Sequence, residues 1–104
     1  MFFRPNTTDK RIIEDTYIQN CYGFPDDMSG MMVVDIGAHI GAATLYCLER
    51  GACVFAYEPA PDTFECLSRN TEPMKRVAAF NRAVGMPGKR QFYIHPNNSG
   101  DRKS

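Results

Sequence analysis

The sequence predicts an α/β fold: a parallel sheet with flanking helices, amounting to about half of a doubly wound domain. Three observations predict it. Residues 31–36, MMVVDI, are a continuous apolar run broken only by an aspartate, the pattern of a strand buried on both faces. Residues 52–58, ACVFAYE, repeat that pattern after an intervening helical stretch. A second helical stretch and a third short apolar run follow, so strand and helix alternate, as crossover connections between parallel strands require.

The elements can be justified in order. RIIEDTYIQNCY (11–22) has apolar residues at 12, 13, 17, 18 and 21, close to a helical stripe. GFPDDMSG (23–30) reads as a loop. After strand 31–36, IGAATLYCLER (40–50) is a helix with apolar residues at 40, 43, 45, 47 and 48, and Gly51 suits a left-handed cap. Pro59 and Pro61 end strand 52–58. Asp62 begins the next helix, which turns Phe64, Cys66 and Leu67 inward and stops before Pro73. RVAAFNRAV (76–84) is the third strand. MPGK (86–89) is a turn, and RQFYIH (90–95) alternates as a fourth, antiparallel strand that completes a hairpin. The polar residues 96–104 form a frayed tail. One domain over 1–104 is expected, with an N-terminal helix and loop over 1–30 and the core plus hairpin over 31–95. Right-handed crossovers order the parallel strands third–second–first. Strand 31–36 is then an edge, and an apolar edge invites a homo-oligomer by pairing with another chain.

Composition excludes several classes of function. Twelve basic and 12 acidic side chains give zero net charge, so no field recruits nucleic acid or an anionic membrane. The basic residues are scattered and do not interleave with aromatics. No apolar run approaches the ~20 residues of a membrane helix. The opening MFFRPNTTDKR is too short and too polar for a signal peptide. Cysteines at 21, 47, 53 and 66 form no C-x-x-C pair. Cys47, Cys53 and Cys66 sit among apolar neighbours and read as buried, reduced thiols of a cytoplasmic protein. Two histidines without an acidic or cysteine cluster suggest no metal site. Tyr17, Tyr22, Phe24 and Met28 read as a cover over the sheet rather than a ligand pocket.

The stretch VVDIGAHIG (33–41) asks for a ligand. In such sheets ligands lie off the carboxyl ends of the strands, where Asp35, the turn to Gly41 and Glu58 should meet. The spacing Asp35-x-Gly37-x-x-x-Gly41 lacks the middle glycine of a dinucleotide turn, and the anionic Asp35 disfavours a pyrophosphate. A ligand with a positive centre and a carboxylate fits better, as S-adenosylmethionine has. The amides of Ala38, His39 and on to Gly41 could receive its carboxylate, and Asp35 could face its ammonium. Glu58, 17 residues beyond Gly41, is spaced to accept both ribose hydroxyls. Pro59 and Ala60 offer an apolar shelf to the adenine. Plainer roles fit the same residues. Asp35 could accept turn amides, Gly37 and Gly41 could serve close helix–strand packing, and Glu58 could face solvent.

VVDIGAHIGAATLYCLERGACVFAYEPAPDTFECLSRN followed by FNRAVG resembles the FkbM-type family of S-adenosylmethionine-dependent methyltransferases, over about residues 31–88. DIGAHIG matches the family's cofactor loop, AYEPAP its ribose-binding strand end and FNRAVG a third-strand motif. The resemblance implies a Rossmann-like fold and methyl transfer, often to a hydroxyl of a sugar or another small molecule. By matched position it implies cofactor contacts at Asp35, Gly37, Gly41 and Glu58, with Asn81 and Ala83 near the adenine. The family continues with a further parallel strand ending in acidic residues, whereas only HPNNSGDRKS follows Ile94 here. The expectation is the cofactor-binding N-terminal part of an enzyme, truncated or completed by another subunit. No catalytic base is assigned. His39 is the imidazole nearest the turn and reads as its brace, and His95 reads as a strand residue. An NAD-dependent oxidoreductase domain and a non-catalytic nucleotide-binding remnant acting in an oligomer are the competing readings.

Overall fold

The computed structural model describes residues 1, 3–5, 7–17, 19, 22–84 and 91–96. Seven elements follow in chain order: α1 (Asp9–Tyr17), β1 (Met31–Ile36), α2 (Ala42–Glu49), β2 (Cys53–Tyr57), α3 (Pro61–Thr71), β3 (Val77–Phe80) and β4 (Gln91–Pro96). The alternation read from the sequence is the alternation observed. The turn expected at 86–89, the tail beyond Pro96, and Ile18 and Cys21 of the first helical stripe lie outside the described residues.

α1 starts two residues earlier than its stripe predicts. Thr7 supplies the reason: its hydroxyl oxygen accepts the Asp9 N–H at 3.1 Å while its O–H donates to the Arg4 carbonyl at 2.7 Å. Such a side-chain cap satisfies an amide that the first helical turn leaves open. α2 is short but buried from Ala42 through Leu48. It lies against the sheet and also contacts α1 and α3, so no face of it is left for solvent. α3 takes Pro61 at its first turn, where a missing N–H costs nothing, and buries Thr63, Cys66, Leu67, Asn70 and Thr71.

The sheet departs from the predicted order at one edge. β1 pairs in parallel with β2, and β2 with β3, as expected. β4, however, does not form a hairpin with β3. It runs antiparallel along the other side of β1, from Met31 opposite Pro96 to Ile36 opposite Gln91, and the order is β3-β2-β1-β4. β1 is therefore central and the open edge expected there is occupied. The physical reason is the composition of β1. A strand apolar on both faces loses most from unpaired backbone groups, and β4 satisfies them locally. Pro96, which has no N–H to donate, falls at the end of an edge strand, where proline is tolerated.

The core lies on the α2 side of the sheet, where Val33, Val54, Ala56, Leu48 and Leu67 are buried together. On the opposite face Met32 and Phe55 remain 42% and 36% exposed. Phe24 and Met28 are buried in the core. Phe24 meets Phe92 edge-on at 5.3 Å, and Tyr17 meets Tyr46 edge-on at 5.3 Å, so this aromatic group acts as packing. Cys47 and Cys66 are buried as expected, whereas Cys53 is only partly buried. Burial pushes the Cys66 thiol up from its ordinary value.

Candidate functional site

The parallel pairing decides where the site lies. Ile36 sits opposite Tyr57, so β1 and β2 end together and their next residues share one edge. The turn after β1 leans on β2: the N–H groups of Gly37 and Ala38 both donate to the Tyr57 carbonyl at 2.9 Å. The Gly41 N–H then closes back on the Ala38 carbonyl at 3.1 Å. Glycine at 37 and 41 and histidine at 39 take left-handed backbone angles, φ 80°, 99° and 60°. A non-glycine residue in that region is uncommon.

Glu58, just past β2, is the hub of this edge. It is nearly buried. One carboxylate oxygen accepts the His39 N–H at 2.8 Å and the other accepts the Ala60 N–H at 3.0 Å. Its own N–H donates to the Phe80 carbonyl at 2.9 Å, which ties it to the end of β3. Asn81 follows β3 and donates its side-chain amide to the carbonyls of Glu58 at 2.9 Å and Pro59 at 3.1 Å. Three strand ends are thus stitched around one residue, Glu58.

Asp35 lies one residue before the end of β1, turned to the core side and fully buried. The Thr44 hydroxyl, one turn into α2, donates to its carboxylate at 2.7 Å. The carboxylate is thereby anchored between strand and helix. Gly41 has a different task. A Cβ added there would lie 2.8 Å from Leu67 Cδ1, so its missing side chain makes room for α3. The packing role is what the structure shows for this glycine.

Of the residues predicted for the site, Asp35, Gly37, Ala38, His39, Gly41, Glu58, Pro59 and Asn81 gather at the carboxyl ends of β1, β2 and β3. Ala83, two residues beyond Asn81, is exposed. The amides of Ala38, His39 and Gly41, expected to receive a ligand carboxylate, are engaged by protein oxygens instead. The reason is the tightness of the turn, which directs each N–H inward or across to the neighbouring strand end.

Four residues that the sequence reading missed complete the surroundings. Thr44 holds Asp35. Asn70 on α3 donates to the buried Ile40 carbonyl at 2.7 Å and pins the turn from behind. Arg4 and Asp9 form an ion pair, with Arg4 Nε 2.8 Å from Asp9 Oδ2. That pair stands beside His39, whose Nδ1 lies 3.9 Å from Asp9 Oδ1. Hydrogen bonding from Arg4 holds the Asp9 carboxyl at about 2, below its usual 3.8, against the opposing effect of burial. Thr44 was legible in principle: it lies one turn inside a helix that starts from the strand bearing Asp35. Arg4 and Asp9 carried no such signal, because nothing local connects them to the turn.

Among the described residues no group of three or more His, Cys, Asp or Glu side chains could hold a metal ion. None of the described helices is long and apolar enough to cross a membrane.

With this geometry in place, similarity to known proteins points to one class of enzyme. A stretch of 66 residues, 59% of the chain, is 39% identical to "Methyltransferase 1" of Beauveria bassiana (strain ARSEF 2860), covering 25% of that protein. A stretch of 61 residues, 57% of the chain, is 36% identical to "Methyltransferase sdnD" of Sordaria araneosa, covering 24% of it. These similarities support a methyltransferase relationship. The chain spans about a quarter of the length of these curated relatives. No family model matches the chain.

Proposed function

We propose that this chain binds S-adenosylmethionine at the edge formed by Asp35, the Gly37–Gly41 turn and Glu58, as the cofactor-binding part of an FkbM-type methyltransferase. The acceptor in this reading is a hydroxyl of a small molecule or a sugar, and the compartment is the cytoplasm, in keeping with cysteines that form no C-x-x-C pair.

One observation carries the reading: Glu58 stands at the tip of β2 with each oxygen committed to one backbone amide. A carboxylate offers about four acceptor sites, so capacity remains for a pair of ribose hydroxyls. Asn81 donates to the carbonyls of Glu58 and Pro59, and Pro59 is exposed as an adenine shelf requires. Asp35, held by Thr44, lies fully buried beneath the turn, and an ionised carboxylate there would suit a cationic ligand and oppose a pyrophosphate. Bound there, S-adenosylmethionine supplies a methyl group already activated by its sulfonium. The chain's own residues then bind and orient, and the buried surroundings of Asp35 and Glu58 exclude water.

Calorimetric titration tests this against the dinucleotide alternative. S-adenosylhomocysteine is expected to bind and NADH not. Glu58→Gln, which removes the charge and one acceptor oxygen, is expected to weaken S-adenosylhomocysteine by about 10- to 100-fold, the scale of hydrogen bonds to a charged group. Heat with NADH alone would replace this reading by an oxidoreductase.

A further inference from the structure

His39 holds a left-handed backbone, φ 60°, at the crest of the turn, and its N–H reads one oxygen of Glu58. Its ring meets the carboxylate of Asp9 at 3.9 Å. Asp9 is wholly buried and held rigidly. Arg4 donates to it from Nε at 2.8 Å, from Nη2 at 2.9 Å and from its backbone N at 3.0 Å. The same guanidinium reaches Thr63 Oγ1 at 3.1 Å and Asp62 Oδ2 at 3.6 Å, at the start of α3. A fixed charge pair is therefore braced between α1 and α3 and placed against the side chain of the residue whose peptide addresses Glu58. Burying the Asp9 carboxylate costs desolvation, which the partly exposed Arg4 guanidinium offsets. The placement of the pair against His39 gives it a use.

We propose that Asp9, locked by Arg4, is a positioning residue for the nucleoside site: it steadies the His39 ring and so keeps the His39 N–H on Glu58 while the rest of that carboxylate meets the ribose. This rests on the cofactor reading above. Among the described residues, charged groups near His39 include Asp9 from α1, Arg4 from the N-terminal segment, Asp62 from α3 by way of Arg4, and Glu58 at its peptide.

Two measurements test the link. The chain has two histidines, so NMR can follow the imidazole of His39 with His95 on β4 as the internal reference. Asp9→Asn is expected to displace the His39 imidazole resonances and to leave those of His95 in place. An unmoved His39 overturns the proposal. Calorimetry with S-adenosylhomocysteine gives the second arm. Asp9→Asn and His39→Asn are each expected to weaken binding about tenfold, and the double variant no more than either single. Asparagine tolerates the left-handed region, so His39→Asn keeps the turn. Losses that add in the double variant mean that Asp9 acts on the fold and not through His39, which overturns the proposal. If Asp9→Asn does not fold, unchanged affinity in His39→Asn overturns it alone. Wild-type protein that binds no S-adenosylhomocysteine sinks the cofactor reading, whereas the NMR arm still decides whether Asp9 governs His39.

Discussion

At Gly41 two demands fall on one residue. The backbone takes φ 99°, and Leu67 Cδ1 fills the space a Cβ would need. Alanine there would meet strain from the left-handed backbone and a steric clash with a buried side chain. Gly41→Ala is expected to cost about 2–4 kcal/mol, combining both effects. Urea unfolding measures it, and an unchanged midpoint would show that the turn can retreat from α3. Glu58 makes the complementary point about acids. The spacing from Gly41 marked it as a ribose acceptor, but its two hydrogen bonds to His39 and Ala60 show that it also closes the turn. Glu58→Gln should therefore lower both affinity and stability, and the two losses are separable by titrating a sample shown to be folded.

Among the elements, β4 changes the character of the sheet. By pairing along β1 it converts an apolar edge into a central strand and leaves β3 and β4 as the edges. Amides in the middle of β1, at Val33 and Asp35, are then expected to exchange with solvent more slowly than those of β3, which hydrogen-exchange mass spectrometry or NMR reads directly. Ending the chain before Gln91 reopens the β1 edge, and such a variant is expected to associate in sedimentation, where the full chain would not by that route. A truncated variant that stays monomeric would show that β1 needs no partner there. α2 and α3 play a quieter part. Through Thr44 and Asn70 they hold Asp35 and the Ile40 carbonyl, so the helices set the turn as firmly as the strands do.

Over the whole molecule the Arg4–Asp9 pair joins the N-terminal segment to α3, 59 positions away in sequence at Thr63. The Asp9 carboxyl titrates near 2 in the folded chain, below its usual 3.8. Its stabilisation is therefore complete above about pH 4 and is lost as pH falls toward 2, amounting to on the order of 1–2 kcal/mol once the partly exposed Arg4 is allowed for. Asp9→Asn should flatten acid unfolding across that window, as followed by circular dichroism. A wild-type-like acid transition in this variant would assign acid sensitivity to other carboxyls. What the sequence determined by itself was local. Apolar runs of period matched to strand or helix placed seven segments and the turn, and the acid–glycine–acid spacing of Asp35, Gly37, Gly41 and Glu58 marked one sheet edge. Those signals are readable because they arise from residues near one another along the chain. Only the tertiary structure decided that β4 pairs with β1, that Leu67 occupies the space beside Gly41, and that Arg4 and Asp9 reach His39. Each of these is a contact between distant segments, selected by packing and by the need to satisfy buried polar groups, and no short stretch of sequence carries it.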